Sequence, residues 1–483
     1  MTGTGATSAG SSRRRPAHHQ TTTPGLAARA WRTCFPGWAA LLVFVFTGVL
    51  APVLLVSLHV AQNPTFSPLD EINHYDYVTR LAAGGFPRLG QNIQPSSLQM
   101  FECTGIAYPP EQVPPCGTPY GPGVGQILGT AVPQYEAQQP PLYYLATVPM
   151  RWVAIHAFGF GDLAGTRLLG LVWLVSGLLF VWAACRVVGV APTWIGAGIL
   201  LLATAPLVVY STANVTNDAG GVFAGGAVLL AGAMAWRHPG RWMVPVLFLV
   251  GLLAPAIKAV DVLAVVAVSA VLLLRELSAD AAGPTWSERL RRWVPSGGAL
   301  IAGGLVAAVG WELVNRTIAT ADPATIPTWQ VLRGKANGIT DILRESTSMW
   351  SPLTSSYAPF HATHAGVIES ARAVNLAAVA ATVLAFLAVA GGLGGLFVAR
   401  RTWSHALGLV TMATLFCGGI ALGYAIHYSY KVDPGVNGRY GLALAPMLVV
   451  ALVASARGDW VRRGLWAVGL LTLVVDCYAM VAT

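Results

Sequence analysis

Apolar runs of roughly 20 residues, the length a helix needs to cross a bilayer's hydrocarbon core, recur along this chain and decide its class. Eleven are read: Gly37 to about Val60, then near 165–185, 191–211, 217–236, 242–257, 259–274, 295–314, 373–398, 405–427, 440–456 and 465–482. Only 10% of the 483 residues are charged, against about 25% in an ordinary soluble domain. A water-soluble fold is excluded, and one all-α polytopic domain over 37–483 is expected. Residues 1–36 are rich in Ser, Thr, Gly and Arg and contain no acid, so they read as a disordered cytoplasmic tail. The first run is too long for a signal-peptide core and is read as an uncleaved span.

The segment 140–158 is treated differently. Arg151 and His156 interrupt it, while Tyr143, Tyr144 and Trp152 suit an interface, so it reads as an amphipathic helix on the membrane surface. With eleven spans and the N-terminus inside, 17 of the 29 basic residues but 4 of the 20 acidic ones fall in cytoplasmic segments. The net charge of +9 therefore has a topological origin, and no basic block is interleaved with aromatics as a nucleic-acid surface requires. Two long outside loops result, 61–164 and about 315–372, with helices rather than strands expected in them. No internal repeat is evident, which weighs against an inverted-repeat carrier.

Six cysteines occur without a CxxC pair, so metal-ligand and redox-motif readings are weak. Cys34, Cys185, Cys417 and Cys477 lie in or beside apolar runs and read as packing residues. Cys103 and Cys116 share the first outside loop and are expected to form a disulfide in an oxidising compartment, contributing about 3 kcal/mol in the chain-entropy description.

The chemistry-bearing residues collect in the outside segments. Asp70, Glu71 and His74 follow the first span, and on a helix Asp70 and His74 would share a face. The same stretch also reads as a plain helix start, with Ser67 as N-cap, Pro68 at N1 and acids in the first turn. Location favours function, because a lipid-borne substrate presents its head group there. Glu136 precedes Gln139-Pro140-Pro141-Leu142-Tyr143-Tyr144, and Asn217-Asp218 precede a span that either residue could cap. Lys258, at the outer end of a span, either snorkels or binds a ligand. Arg439, flanked by Gly438 and Tyr440, suits a phosphate bidentately.

In this order and on one membrane face, these motifs resemble GT-C glycosyltransferases over roughly residues 37–456, particularly bacterial families related to the protein O-mannosyltransferases and lipid A aminoarabinose transferases. The resemblance implies Asp70 as catalytic base with Glu71 its neighbour, and a polyprenyl-phosphate sugar donor whose phosphate meets Arg439 and Lys258. His74, Glu136, Asp218 and Tyr440 would line the substrate site. It also implies a glycan, lipid or protein acceptor, and residence in a bacterial plasma membrane with the site extracytoplasmic. No cofactor is required, although Asp70, Glu71, Glu136 and Asp218 could offer hard oxygens to a divalent cation. Two departures stand out: Gln139 occupies the place where many relatives carry His before Pro-Pro, and no sizeable soluble C-terminal domain follows, which leaves acceptor recognition to the loops. The rival reading is a transporter or flippase for a lipid-linked or anionic substrate, which would concentrate charge near the bilayer midplane, where Asp261, Glu312 and Asp476 are the candidates.

Overall fold

In the computed structural model of the chain, the described residues are 34–67, 70–106, 115–117, 134–278, 284–320, 393, 402–430 and 438–481. The expected span at 373–398, most of the loop 315–372 and nearly all of the tail lie outside them. Among the described residues the regular structure is helical, with a lone β-bridge between Phe66 and Ile106. Seven helices among the described residues are long and apolar enough to cross a membrane, or eight if a bent pair counts as one span, so this is an integral membrane protein.

The first of the described spans is α1 (Trp38–Gln62), whose π-helical turn Val45–Leu50 stands just ahead of Pro52. Proline cannot donate to the carbonyl four residues back, and the looser π register absorbs that missing bond. The first loop holds α2 (Glu71–Ala82), α3 (Pro95–Thr104), a 3₁₀ turn at Tyr135–Gln138 and α4 (Leu142–His156). Cys103, in the last turn of α3, is disulfide-bonded to Cys116. The 15 residues of α4 reach about 22 Å, too short to span; the helix buries Tyr143 and Tyr144 and exposes Trp152.

Then follow α5 (Asp162–Val187), the pair α6 (Pro192–Ala203) and α7 (Pro206–Ala213), and α8 (Asn217–Arg237). The expected span at 191–211 is broken by 63° where Pro206 interrupts it. Every residue of α7 is buried. That burial is what permits the non-helical backbone at 214–216 beside the membrane, since such backbone survives only inside protein. Next come α9 (Met243–Ile257), α10 (Val262–Leu277), α11 (Trp286–Ile318), α12 (Trp403–Tyr430), α13 (Gly438–Ser455) and α14 (Asp459–Val481). Helix α9, with 15 residues, is one residue shorter than the span expected at 242–257, and α10, with 16, is as long as the one expected at 259–274 but begins three residues later.

Without a hydrophobic force between helices in lipid, close backbone approach through small residues does the joining. A Cβ on Gly225 of α8 would collide with the Ala443 carbonyl of α13, and one on Gly251 or Gly303 would collide with the facing backbone of α11 or α9. Helix α8 has 21 residues, so its ends lie about 30 Å apart, one hydrocarbon thickness. Arg186, Arg237, Arg275 and Arg457 gather at one end of the bundle: Arg237 donates to the Val188 carbonyl and Arg275 to that of Ala235. The acids and cations singled out in the sequence gather at the other.

Candidate functional site

The site is assembled where α2, the 3₁₀ turn at 135–138, and the ends of α8, α9 and α13 meet. Asp70 is the N-cap of α2, and it has φ +61, the sole positive φ of a non-glycine residue among the described residues. Asp tolerates this left-handed geometry better than most residues, yet such a conformation costs of order 1–3 kcal/mol and persists only where the surroundings impose it. Ser67 is not the cap expected: the helix starts three residues later, and the Ser67 N–H donates instead to Glu71 Oε2 at 2.7 Å.

Glu71 supplies the imposing force. Its carboxylate accepts Arg167 Nε at 2.7 Å and Nη2 at 2.6 Å, the Ser67 N–H, and the Val215 N–H at 2.8 Å. Arg167 in turn donates to the Asn63 and Thr65 carbonyls. Both side chains are fully buried. The expected catalytic role for Glu71 is therefore corrected: each of its oxygens already accepts two donors, and it bolts the start of α2 to the end of α1, to α5 and to the unwound stretch after α7. Arg167 was missed by sequence reasoning, although an arginine inside an apolar span is the kind of signal that marks an intramembrane partner.

Asp70 is held differently. Its Oδ1 accepts the Tyr135 hydroxyl at 2.6 Å and its Oδ2 accepts Arg439 Nη2 at 2.8 Å. Burial works to raise its carboxyl, but the Arg439 guanidinium and the Tyr135 hydrogen bond outweigh it and hold Asp70 below the usual carboxylate range. The second Arg439 nitrogen, Nη1, lies 3.6 Å from Asp218 Oδ2, and Asp218 Oδ1 accepts Lys258. Tyr440 closes this end with its ring 4.9 Å from Lys258 Nζ and 5.6 Å from the Arg439 guanidinium. The result is a chain of alternating charge, Asp70, Arg439, Asp218, Lys258, drawn from four separate elements.

His74 lies one turn into α2, where its N–H donates to the carbonyl of Asp70 at 3.2 Å and its ring stays within electrostatic reach of the Asp70 carboxylate. Its Nδ1 is 2.7 Å from the Tyr144 hydroxyl and its ring stacks on Tyr144. Burial pushes His74 down to about 3 and pushes Glu136, 3.8 Å away and also facing Asp70, up to about 8. At neutral pH the two form a contact between uncharged groups. Glu136 Oε2 is buried with no hydrogen-bond partner among the described residues. Gln139 accepts from Asn217 Nδ2 at 3.3 Å through its Oε1. Beside Lys258 and Tyr440 opens a cavity of about 440 Å³, reached also by Gln138, Gln139 and Asn315.

The four carboxylates considered as metal ligands do not converge. Glu71 belongs to Arg167, and Asp70 and Asp218 are each paired with a cation of the chain. Among the described residues no group of three or more His, Cys, Asp or Glu could hold an ion. A divalent cation would have to displace Arg439 or Lys258.

No protein-family model matches the chain, and no curated protein matches it. Among solved structures, the crystal structure of ArnT from Cupriavidus metallidurans bound to undecaprenyl phosphate is similar to it, with 14% identity and a TM-score of 0.44 over 89% of this chain. The chain spans 62% of that neighbour's length.

Proposed function

We propose that this chain is a GT-C-like glycosyltransferase that moves a sugar from a polyprenyl phosphate to a hydroxyl of a glycan, lipid or protein acceptor. It would work in a bacterial plasma membrane, at the extracytoplasmic face. The observation that carries the reading is the alternating chain from Asp70 through Arg439 and Asp218 to Lys258, placed at the ends of spans where a lipid head group lies.

In this reading Arg439 and Lys258 take the donor phosphate, giving up part of their pairing with Asp70 and Asp218. Asp70 becomes more basic as Arg439 turns to the phosphate, so the base is released when the donor is in place. The acceptor O–H passes its proton to Asp70 and its oxygen bonds to the anomeric carbon. The bond from that carbon to the phosphate oxygen breaks, and the electron pair leaves with the polyprenyl phosphate, whose charge the two cations stabilise. Glu136, uncharged at neutral pH, and Gln139 offer hydrogen bonds to sugar hydroxyls.

A carrier would hold its charges near the midplane. Here Glu312 pairs with Arg316 at an exposed helix end, Asp261 sits in the turn between α9 and α10, and Asp476 lies within two turns of the end of α14. Purified protein given a polyprenyl-phosphate sugar and an envelope glycan should transfer sugar, and Asp70→Asn should lower turnover roughly 10²-fold or more with donor binding kept. Wild-type-like transfer by Asp70→Asn would remove Asp70 as the base, whereas donor movement across vesicles without transfer would favour the carrier.

A further inference from the structure

We infer that the end of the bundle opposite Asp70 carries a second site, a pocket that binds the phosphate head group of an anionic lipid. A cavity of about 530 Å³ opens there, where the α5–α6 turn, the end of α8, the start of α12 and the α13–α14 turn come together. Two arginines, Arg237 and Arg457, line it, and no acid does. Neither has an ion-pair partner among the described residues, so the pocket is positively charged as it stands.

Arg237 is already oriented. Its Nη2 donates to the Val188 carbonyl at 3.0 Å, inside a turn that Gly189 makes possible with φ +89. A guanidinium has five N–H donors in a planar fork, so one bond to the turn leaves the fork able to grip phosphate oxygens. Three tryptophans, Trp194, Trp236 and Trp403, form the walls. Arg275 stacks 5.7 Å over Trp236 and adds a third positive charge behind that wall. The Trp403 indole N–H is buried without an acceptor among the described residues, and a buried donor of that kind calls for a partner.

Depth identifies the ligand's source. Helices α8 and α13 both run from the Asp70 site to this pocket, and 21 residues of α8 cover about 30 Å, so the pocket lies at the opposite membrane surface. Trp38 and Trp460, 81% and 79% exposed, begin α1 and α14, spans whose first turns lie near this end, as an interfacial aromatic belt requires. Val190, Val453 and Ala454 supply an apolar flank on which the glycerol and first acyl carbons can rest. Basic pockets between spans at head-group level suit anionic lipids, and the charge bias along the chain makes this the cytoplasmic leaflet.

Full-length protein in neutral detergent, studied by native mass spectrometry and thermal unfolding, tests the inference. Phosphatidylglycerol should remain bound and raise the unfolding temperature, phosphatidylcholine should do neither, and inorganic phosphate should compete only weakly. The R237Q/R457Q double variant should bind phosphatidylglycerol roughly tenfold or more weakly, with sugar transfer unchanged. Arg457 is exposed and makes no hydrogen bond among the described residues, so R457Q alone keeps the fold intact and should still weaken binding several-fold. Equal retention of the two lipids, phosphatidylglycerol affinity unchanged in both variants, or binding of inorganic phosphate without the lipid would overturn the assignment.

Discussion

Two neighbouring carboxylates, Asp70 and Glu71, are each gripped by an arginine, and their fates differ. Glu71 is sealed: four hydrogen bonds, no exposure, and a partner in Arg167 that is itself tied to two carbonyls. Asp70 is open: its side chain keeps 12% exposure, its backbone is strained, and its arginine is shared with Asp218. A closed ion pair resists any exchange of partners and serves as a fastening. An open, shared one can trade partners with a ligand, which is what a phosphate-binding base site needs.

Replacing Arg167 by Met strands a fully buried carboxylate and should cost about 3–5 kcal/mol of stability, read as a large drop in unfolding temperature or loss of folded protein. A mild effect would erase the distinction between fastening and working pair. Asp70→Asn should behave in the opposite way, because Asn accepts the left-handed backbone: unfolding should stay near wild type while transfer falls by roughly 10². Glu71→Gln should reverse the pattern, losing stability first. At Arg439, Lys keeps the charge and loses the fork, so donor affinity should fall by about tenfold, and Ala should weaken it further. Unchanged donor affinity in Arg439→Ala would exclude the shared-arginine role.

The smallest effect concerns pH. Glu136 keeps its proton up to about pH 8 in the folded chain, whereas its ordinary value is 4.5. Between those values the folded state binds the extra proton, so its stability contribution is present below the lower value and is lost as pH rises through the upper one. Below about pH 6.5 the buried neutral His74 adds the opposite slope, so the unfolding temperature should decline in wild type from pH 7 to pH 8, and less steeply in Glu136→Gln; parallel curves there would remove Glu136 as the titrating group.

Much of this was legible in sequence. The apolar runs mark helices wherever the residues are described, because length and composition suffice to recognise a span. Asp70, Glu136, Asp218, Lys258 and Arg439 were picked out by type and side of the membrane, and the structure brings them into one cluster. Orientation was not legible. Spacing rules assume a helix through Asp70, but a single positive φ makes that residue the cap, with its carboxylate on Tyr135 and Arg439. The partner of Glu71 lies 96 positions away, and no local pattern encodes such a pairing. The 63° break between α6 and α7 was hidden for a similar reason, since the two halves together are apolar enough to read as one span.

The separation of 369 positions between Asp70 and Arg439 also sets a schedule for synthesis. At roughly 5–20 residues per second, a ribosome needs on the order of 20–70 s after making the carboxylate before its arginine exists. The fastening to Arg167 becomes available much sooner, so the first loop can be anchored while the Asp70–Arg439 pair is still half made. An unfinished chain thus carries an anchored first loop and an unpaired Asp70 carboxylate, and the charge cluster cannot close until α13 has begun to insert.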